Sequence, residues 1–135
     1  MTAKEYLLQL SKLDSLIDHE SAEYTALMVR AEGNSSPELK ERVQTSVSGD
    51  SMDSVLDAVE VKDKIRVLQL RYIRQRRIIV DQIHSLDNPL YSNILYHRYV
   101  QGKNFEQIAV AICHTYKYTI NLHGHALQAF QKKFL

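Results

Sequence analysis

Four side chains that could bind a metal or form a nucleophilic pair lie close together in the C-terminal third of the sequence: Cys113, His114, His123 and His125. His123 and His125 are two residues apart, so on a helix they point to different faces, whereas metal ligands on one helix are three or four apart. Cys113 and His114 are adjacent and rarely converge on one reacting atom, and no acid is evident to orient the histidine. The sequence therefore predicts no metal site, no cofactor and no enzymatic activity.

The same region contains two short apolar runs, separated by residues that break their period. Phe105, Ile108, Ala109 and Ile112 predict a helix of little more than two turns, and Thr115 is a suitable N-cap for a longer one. The inner face of this longer helix is predicted to consist of Thr119, Leu122, Ala126, Leu127 and Phe130. A short helix, a tight turn and a longer helix predict a helix-turn-helix.

In such a motif the second helix offers its outward side to the major groove of DNA. The predicted DNA-binding residues are Lys103, Gln107, Tyr116, Lys117, Ile120, Asn121 and His125. Tyr116, Ile120 and Asn121 are expected to contact base edges, and the amide of Asn121 suits adenine. Lys103, Gln107 and Lys117 are expected to contact phosphates. The predicted partner is double-stranded DNA.

The phrase "RYVQGKNFEQIA" is followed by a turn, a threonine cap and the phrase "LHGHAL". Residues 90 to 130 resemble region four of bacterial sigma factors and, more closely, the sigma-region-four-like phage regulators of the ArpU/RinA type and their uncharacterised phage relatives. The matching residues are Arg98, Tyr99, Val100, Gly102, Lys103, Glu106, Gln107, Ile108, Ala109, Thr115, Leu122, His123, Ala126 and Leu127. The resemblance implies sequence-specific binding of duplex DNA in the transcriptional control of phage or prophage genes.

Three residues differ from the pattern of that family. Cys113 stands where a turn glycine is usual, so the turn either avoids a left-handed conformation or tolerates strain. Thr119 replaces a core valine, and its hydroxyl can bond to a carbonyl one turn earlier. Gly124 lies inside the second helix, at a cost of about 1 kcal/mol relative to alanine. His123 matches the "LH" position and is expected to pack between helices or to contact a phosphate.

Two longer apolar stripes with steps of three and four residues precede this motif. The first consists of Tyr6, Leu10, Leu13, Ile17, Tyr24, Leu27 and Ala31, and the second of Val61, Ile65, Leu68, Tyr72, Gln75, Ile79, Gln82 and Leu86. They predict one long helix from residue 3 to 31 and another from 53 to 86, in a coiled-coil pattern. The helices could form an antiparallel hairpin, or each could pair with another copy in a homodimer. Residues 33 to 54 are rich in serine and glycine and predict a flexible connection.

A further short helix is predicted between the second stripe and the helix-turn-helix. Asp87 or Asn88 can cap it, Pro89 suits its first position and Gly102 ends it. Its apolar face is predicted to be Leu90, Ile94, Leu95 and Tyr99. The fold class is therefore all-α, with a helical hairpin or stalk in residues 1 to 86, including a linker at about 33 to 54, and a DNA-binding helix-turn-helix domain in residues 87 to 135.

The net charge of +1 conceals a strong asymmetry along the sequence. Residues 1 to 60 contain 5 basic and 12 acidic side chains, residues 61 to 84 contain 7 and 2, and residues 85 to 135 contain 5 and 2. The basic run from Lys62 to Arg77 could pair with the acidic first arm, or part of it could contact DNA phosphates.

A chain of 135 residues is long enough to bury a core, and its single cysteine excludes an internal disulfide. With no signal peptide and no apolar run near 18 residues, the sequence predicts a cytoplasmic protein without membrane insertion. The resemblance to phage regulators implies that this cytoplasm is that of a bacterial host cell. The alternative to a DNA-binding regulator is a module that keeps the fold and sequesters a protein such as host RNA polymerase or another regulator. The low arginine content of the outward face favours this alternative.

Overall fold

The computed structural model describes residues 1–32 and 49–135, and within these ranges the chain is helical, without strands. The helices are α1 (Ala3–Leu7), α2 (Gln9–Ala31), α3 (Gly49–His84), α4 (Pro89–Leu95), a π-helical segment (Tyr96–Val100), α5 (Phe105–Ile112) and α6 (Tyr116–Phe134). This confirms the predicted all-α class. None of the described helices is both long and apolar enough to cross a lipid bilayer.

The chain divides into two compact units. The core unit contains Met1–Asp14 and Tyr72–Leu135, and the arm unit contains Ser15–Arg71. This grouping differs from the predicted division between residues 86 and 87, because α1 and the last part of α3 belong with the C-terminal helices. Of the predicted linker, residues 33–48 lie outside the described ranges, whereas residues 49–54 form the first turns of α3 and are not a connection.

In the arm unit, the predicted stripes are the least exposed sides of α2 and α3. The stripe on α3 begins earlier than predicted, because Ala58 and Ser54 are buried one and two turns before it. Glu20, which interrupts the first stripe, accepts an ion pair from Lys64 at 2.8 Å. α2 and the first part of α3 therefore contact each other within one chain in this unit.

The first helix is broken near its start and is not continuous as predicted. α1 ends at Leu7 and α2 begins at Gln9, while the hydroxyl of Ser11 donates to the carbonyl of Leu8 at 2.9 Å. The N-cap of α1 is Thr2, whose side chain accepts from the backbone N–H of Glu5. The Glu5 carboxylate accepts from the backbone N–H of Thr2, which lowers the pKa of that carboxyl.

The core unit is built around fully buried side chains from both ends of the chain. These are Leu7, Ile79, Ile83, Ile94, Leu95, Ile108, Ala126 and Phe130, with Leu10 almost as deeply buried. Gln82, a polar residue of the second stripe, accepts a hydrogen bond from the Tyr6 hydroxyl at 2.8 Å. This bond fixes the register between the first helix and the end of α3.

The connection from α3 to α5 follows the predicted signals in part. Asn88 caps α4 by accepting from the N–H of Leu90 at 2.9 Å, and Gly102 ends the helical run with a φ of 69°. Sequence reasoning did not foresee the π-helical segment, in which the N–H of Gln101 donates to the carbonyl of Tyr96 at 3.0 Å. This wider turn still buries Tyr99 as predicted.

Candidate functional site

The first helix of the candidate site, α5, has the predicted bounds and a capped start. The Asn104 side chain accepts from the N–H of Gln107 at 2.8 Å, and the Gln107 side chain accepts from the N–H of Asn104 at 3.0 Å. This reciprocal capping box satisfies two backbone donors. The carbonyl group of Gln107 is therefore engaged within the chain, and its amide NH2 remains for an external acceptor.

The turn between α5 and α6 tolerates a strained residue. Cys113 adopts a left-handed conformation with φ 59° and ψ 42°. Of the two outcomes expected for a cysteine at this glycine position, the turn therefore tolerates strain. The N–H of His114 donates to the carbonyl of Ala109 at 3.0 Å, and that of Cys113 to Val110 at 3.2 Å. These are the two bonds of a Schellman motif, which ends a helix in a defined direction.

α6 begins at Tyr116, where Thr115 is the predicted cap. The Thr115 hydroxyl oxygen accepts from the N–H of Tyr118 at 3.2 Å. Thr119 is fully buried, and its hydroxyl donates to the Thr115 carbonyl at 2.8 Å, as predicted for a threonine in the core. Four residues of the predicted inner face are buried as expected, namely Thr119, Leu122, Ala126 and Phe130, and the fifth, Leu127, is partly buried against the core.

Five predicted DNA-binding residues lie on the exposed side of α6: Tyr116, Lys117, Ile120, Asn121 and His125. At 100° per residue, Lys117, Asn121 and Gly124 follow one line along the helix, with Ile120 and His125 on either side. We call this side the outer face of α6. Gly124 lies at its centre, and a methyl group added there would meet no atom within 4 Å.

The other two predicted residues lie on different elements. Gln107 is on the first turn of α5, and Lys103 is in the loop before that helix. Lys103 is only partly exposed, and its ammonium group donates to Nδ1 of His97 at 3.1 Å. Its backbone carbonyl accepts from the Arg98 guanidinium at 3.1 Å, so this loop is held at two points.

A cluster that sequence reasoning did not identify fastens α6 to the π-helical segment. The Tyr99 hydroxyl and Nε2 of His123 form a hydrogen bond of 2.8 Å, and the Phe105 and His123 rings meet edge to face with their centroids 4.9 Å apart. The Arg98 guanidinium lies 4.5 Å from the centre of the Phe105 ring. Of the two roles expected for His123, these contacts correspond to packing. All four side chains belong to the phrase "RYVQGKNF…LH" of the sequence, but only the tertiary structure shows that they contact one another.

Burial in this cluster changes two pKa values. It lowers the pKa of His123 to about 4, and the positive charge of Arg98 acts in the same direction. Burial also raises the pKa of Tyr99. At neutral pH His123 is therefore uncharged, and its Nε2 can accept the hydrogen bond from Tyr99.

Several exposed apolar side chains surround the outer face of α6. Val110 on α5 is 80% exposed, and Tyr118 is exposed with its ring 4.4 Å from that of His114. Tyr116 and Ile120 add further apolar surface. This surface could pack against bases, sugars or another protein.

The metal-ligand candidates do not converge. His123 is partly buried against Tyr99, whereas His125 and Cys113 are exposed. Within residues 1–32 and 49–135, histidine, cysteine and acidic side chains form no group of three that could hold a metal ion. The basic run from Lys62 to Arg77 forms one ion pair with the described part of the acidic arm, between Lys64 and Glu20.

Comparison with known proteins gives no match to a family model, to a curated protein or to a solved structure.

Proposed function

We propose that the chain is a DNA-binding transcriptional regulator of phage or prophage genes, with α6 as the helix that enters the major groove. The observation that carries the proposal is the outer face of α6, which is exposed, follows a capped helix start and contains no acidic side chain. The resemblance of residues 90 to 130 to sigma-region-four-like regulators supports the same function. The cluster around His123 would hold α6 in place from the opposite side.

The side chains of the outer face can contact specific bases as well as phosphates. Asn121 can form two hydrogen bonds to adenine, and Ile120 can contact the methyl group of thymine. Lys117 would contact a phosphate, with Gln107 and Lys103 adding backbone contacts from α5 and its preceding loop. After Asn88 the chain has five basic side chains and one acidic one, so this part attracts a polyanion.

The test is selection of a preferred duplex from random DNA, followed by binding measurements on that duplex and on random duplex. Asn121→Ala should lose about 1 to 3 kcal/mol of binding free energy on the preferred duplex and much less on random DNA, because it removes base contacts. Lys117→Ala should weaken binding to both duplexes. It should also lower the slope of log affinity against log salt concentration by about one ion.

Two exposed positions provide matched controls. Asn93→Ala removes an amide on α4, and Lys132→Ala removes a charge about four turns further along α6. Both control variants should keep the parent's preference for the selected duplex over random DNA. Equal small losses for Asn121→Ala on specific and random DNA would exclude base recognition by this helix.

The exposed apolar surface favours a second candidate function, the capture of a protein such as RNA polymerase or another regulator. Val110 is not among the residues assigned to DNA contacts, and its exposed side chain suits a protein interface. Under this alternative Val110→Asp would abolish capture of purified RNA polymerase, whereas Asn121→Ala would leave duplex binding unchanged. Under the first function, Val110→Asp leaves the preference for one duplex intact.

A further inference from the structure

α3 has a second apolar row on the side that faces away from α2 in the arm unit. Leu56, Val59 and Leu70 are 58, 53 and 51% exposed. Asp63 and Arg66 occupy the positions between them at the same steps of three and four. We call these five residues the outer row of α3. At 100° per residue, this row is opposite the inward row that contains Val61, Ile65 and Leu68.

The charges in the outer row change sign at its middle, because Asp63 precedes Arg66. Glu60 and Arg71 flank the row on one side, before and after this change. All four side chains are exposed, and none forms an ion pair with another residue in the described ranges. Lys64, which lies near the point of change, is already paired with Glu20 at 2.8 Å.

We propose that the outer row of α3 binds the outer row of a second copy of the chain, with the two helices antiparallel. With the two-fold axis between residues 64 and 65, Val59 faces Leu70 of the second copy. Asp63 then faces Arg66 of the second copy, and the symmetry generates this pair twice. The same register thus matches both the apolar and the charged positions.

The charge pattern selects this orientation. In a parallel pair, Asp63 would lie beside Asp63 and Arg66 beside Arg66, and like charges in facing helices are unfavourable. The charge pattern also indicates which kind of partner binds the outer row. A nucleic acid or an anionic membrane would be repelled by Glu60 and Asp63 on the same surface. A second copy of α3 supplies the complementary charge for both Asp63 and Arg66.

The first test is the mass of the full chain in solution, by sedimentation equilibrium over a range of concentrations. A dimer should have twice the monomer mass of 15.6 kDa. Asp63→Arg alone and Arg66→Asp alone should each shift the chain to monomer, because each creates two like-charge pairs. The double variant with both changes should restore the dimer, because it exchanges the signs. Circular dichroism should remain that of the parent in all three variants.

The second test determines the orientation by disulfide formation, with Cys113→Ser removing the one native thiol. In that background the double variant Val59→Cys and Leu70→Cys should give a covalent dimer on mild oxidation. Val59→Cys alone should not, because residue 59 faces residue 70 in the antiparallel pair. A parent chain that stays monomeric at all concentrations, a double charge variant that stays monomeric, or efficient cross-linking by Val59→Cys alone would each overturn the proposal.

Discussion

Cys113 carries a conformational cost that is confined to one residue. Its φ of 59° lies in the left-handed region, where a side chain with a Cβ atom is strained by about 1 kcal/mol or more. The Schellman bonds of His114 and of Cys113 itself hold the backbone in this conformation. A glycine there would adopt the same conformation without the cost.

We therefore expect Cys113→Gly to raise the free energy of unfolding by about 1 kcal/mol, since the gain in the folded state exceeds the added entropy of the unfolded chain. Urea unfolding followed by circular dichroism would measure it. Cys113→Ala is the control, because it removes the thiol and keeps the Cβ atom. An equal gain from alanine would assign the effect to the thiol and not to the backbone.

His123 should make stability depend on pH. Its pKa is about 4 in the folded chain, against about 6.5 when unfolded, so the unfolded chain binds more protons between these values. The free energy of unfolding should therefore fall as the pH falls from about 6.5 to 4, by about 2 to 3 kcal/mol at most.

The variant His123→Gln should lose this part of the pH dependence, which urea unfolding at several pH values would measure. His125→Gln is the matched control, because that histidine is two residues away on the same helix and exposed. If the parent and His123→Gln lose stability equally on acidification, the burial of His123 is not the cause.

At the scale of the element, the two described glycines with open surroundings have opposite roles. Neither Gly102 nor Gly124 would bring an added Cβ within 4 Å of another atom, but Gly102 has a φ of 69° and Gly124 is inside α6. Gly124→Ala should stabilise the chain by about 1 kcal/mol through helix propensity. Gly102→Ala should destabilise it by a similar amount, about 1 kcal/mol, because alanine is strained at positive φ.

Thermal and urea unfolding of both variants would measure this contrast. A loss of stability in Gly124→Ala would mean that a neighbour of α6 occupies the space that is open in the structure. The two variants also distinguish a glycine that ends a helix, Gly102, from a glycine inside a helix, Gly124.

The elements that were predicted correctly are those with local signals. Thr115 and Asn88 cap α6 and α4 because their side chains bond to backbone groups two or three residues away. The inner face of α6 follows from the helical period, and so does the exposure of Lys117 and Asn121. The π-helical segment, the break after α1 and the cluster around His123 depend on contacts between distant segments, which the period of a sequence does not contain.

At the scale of the whole molecule, the predicted boundary at residue 87 divides a core that the structure keeps together. Leu7 and Leu10 from the first helices share this core with Ile79 from α3 and Phe130 from α6. Heptad spacing indicates that Leu10 and Ile79 face inward, but it does not identify which apolar surface covers them.

Leu7→Ala should therefore destabilise the C-terminal helices, although residue 7 is far from them in sequence. We expect a loss of about 2 to 5 kcal/mol in the free energy of unfolding, because the side chain is fully buried. Hydrogen exchange at the α6 amides near Phe130 should accelerate accordingly. Leu16→Ala, at an exposed position of α2, should change stability by less than about 0.5 kcal/mol. Unchanged exchange in α6 of the Leu7→Ala variant would support an independent domain from residue 87.

The hydrogen bond from the backbone N–H of Ala3 to the Gln131 side chain joins residues 128 positions apart. During translation α1 leaves the ribosome long before α6 is made, by roughly 6 to 25 s at ordinary elongation rates. For that interval Leu7 and Leu10 have none of the α6 surface that buries them in the folded chain. The nascent chain therefore exposes these two apolar side chains to chaperones until α6 has emerged.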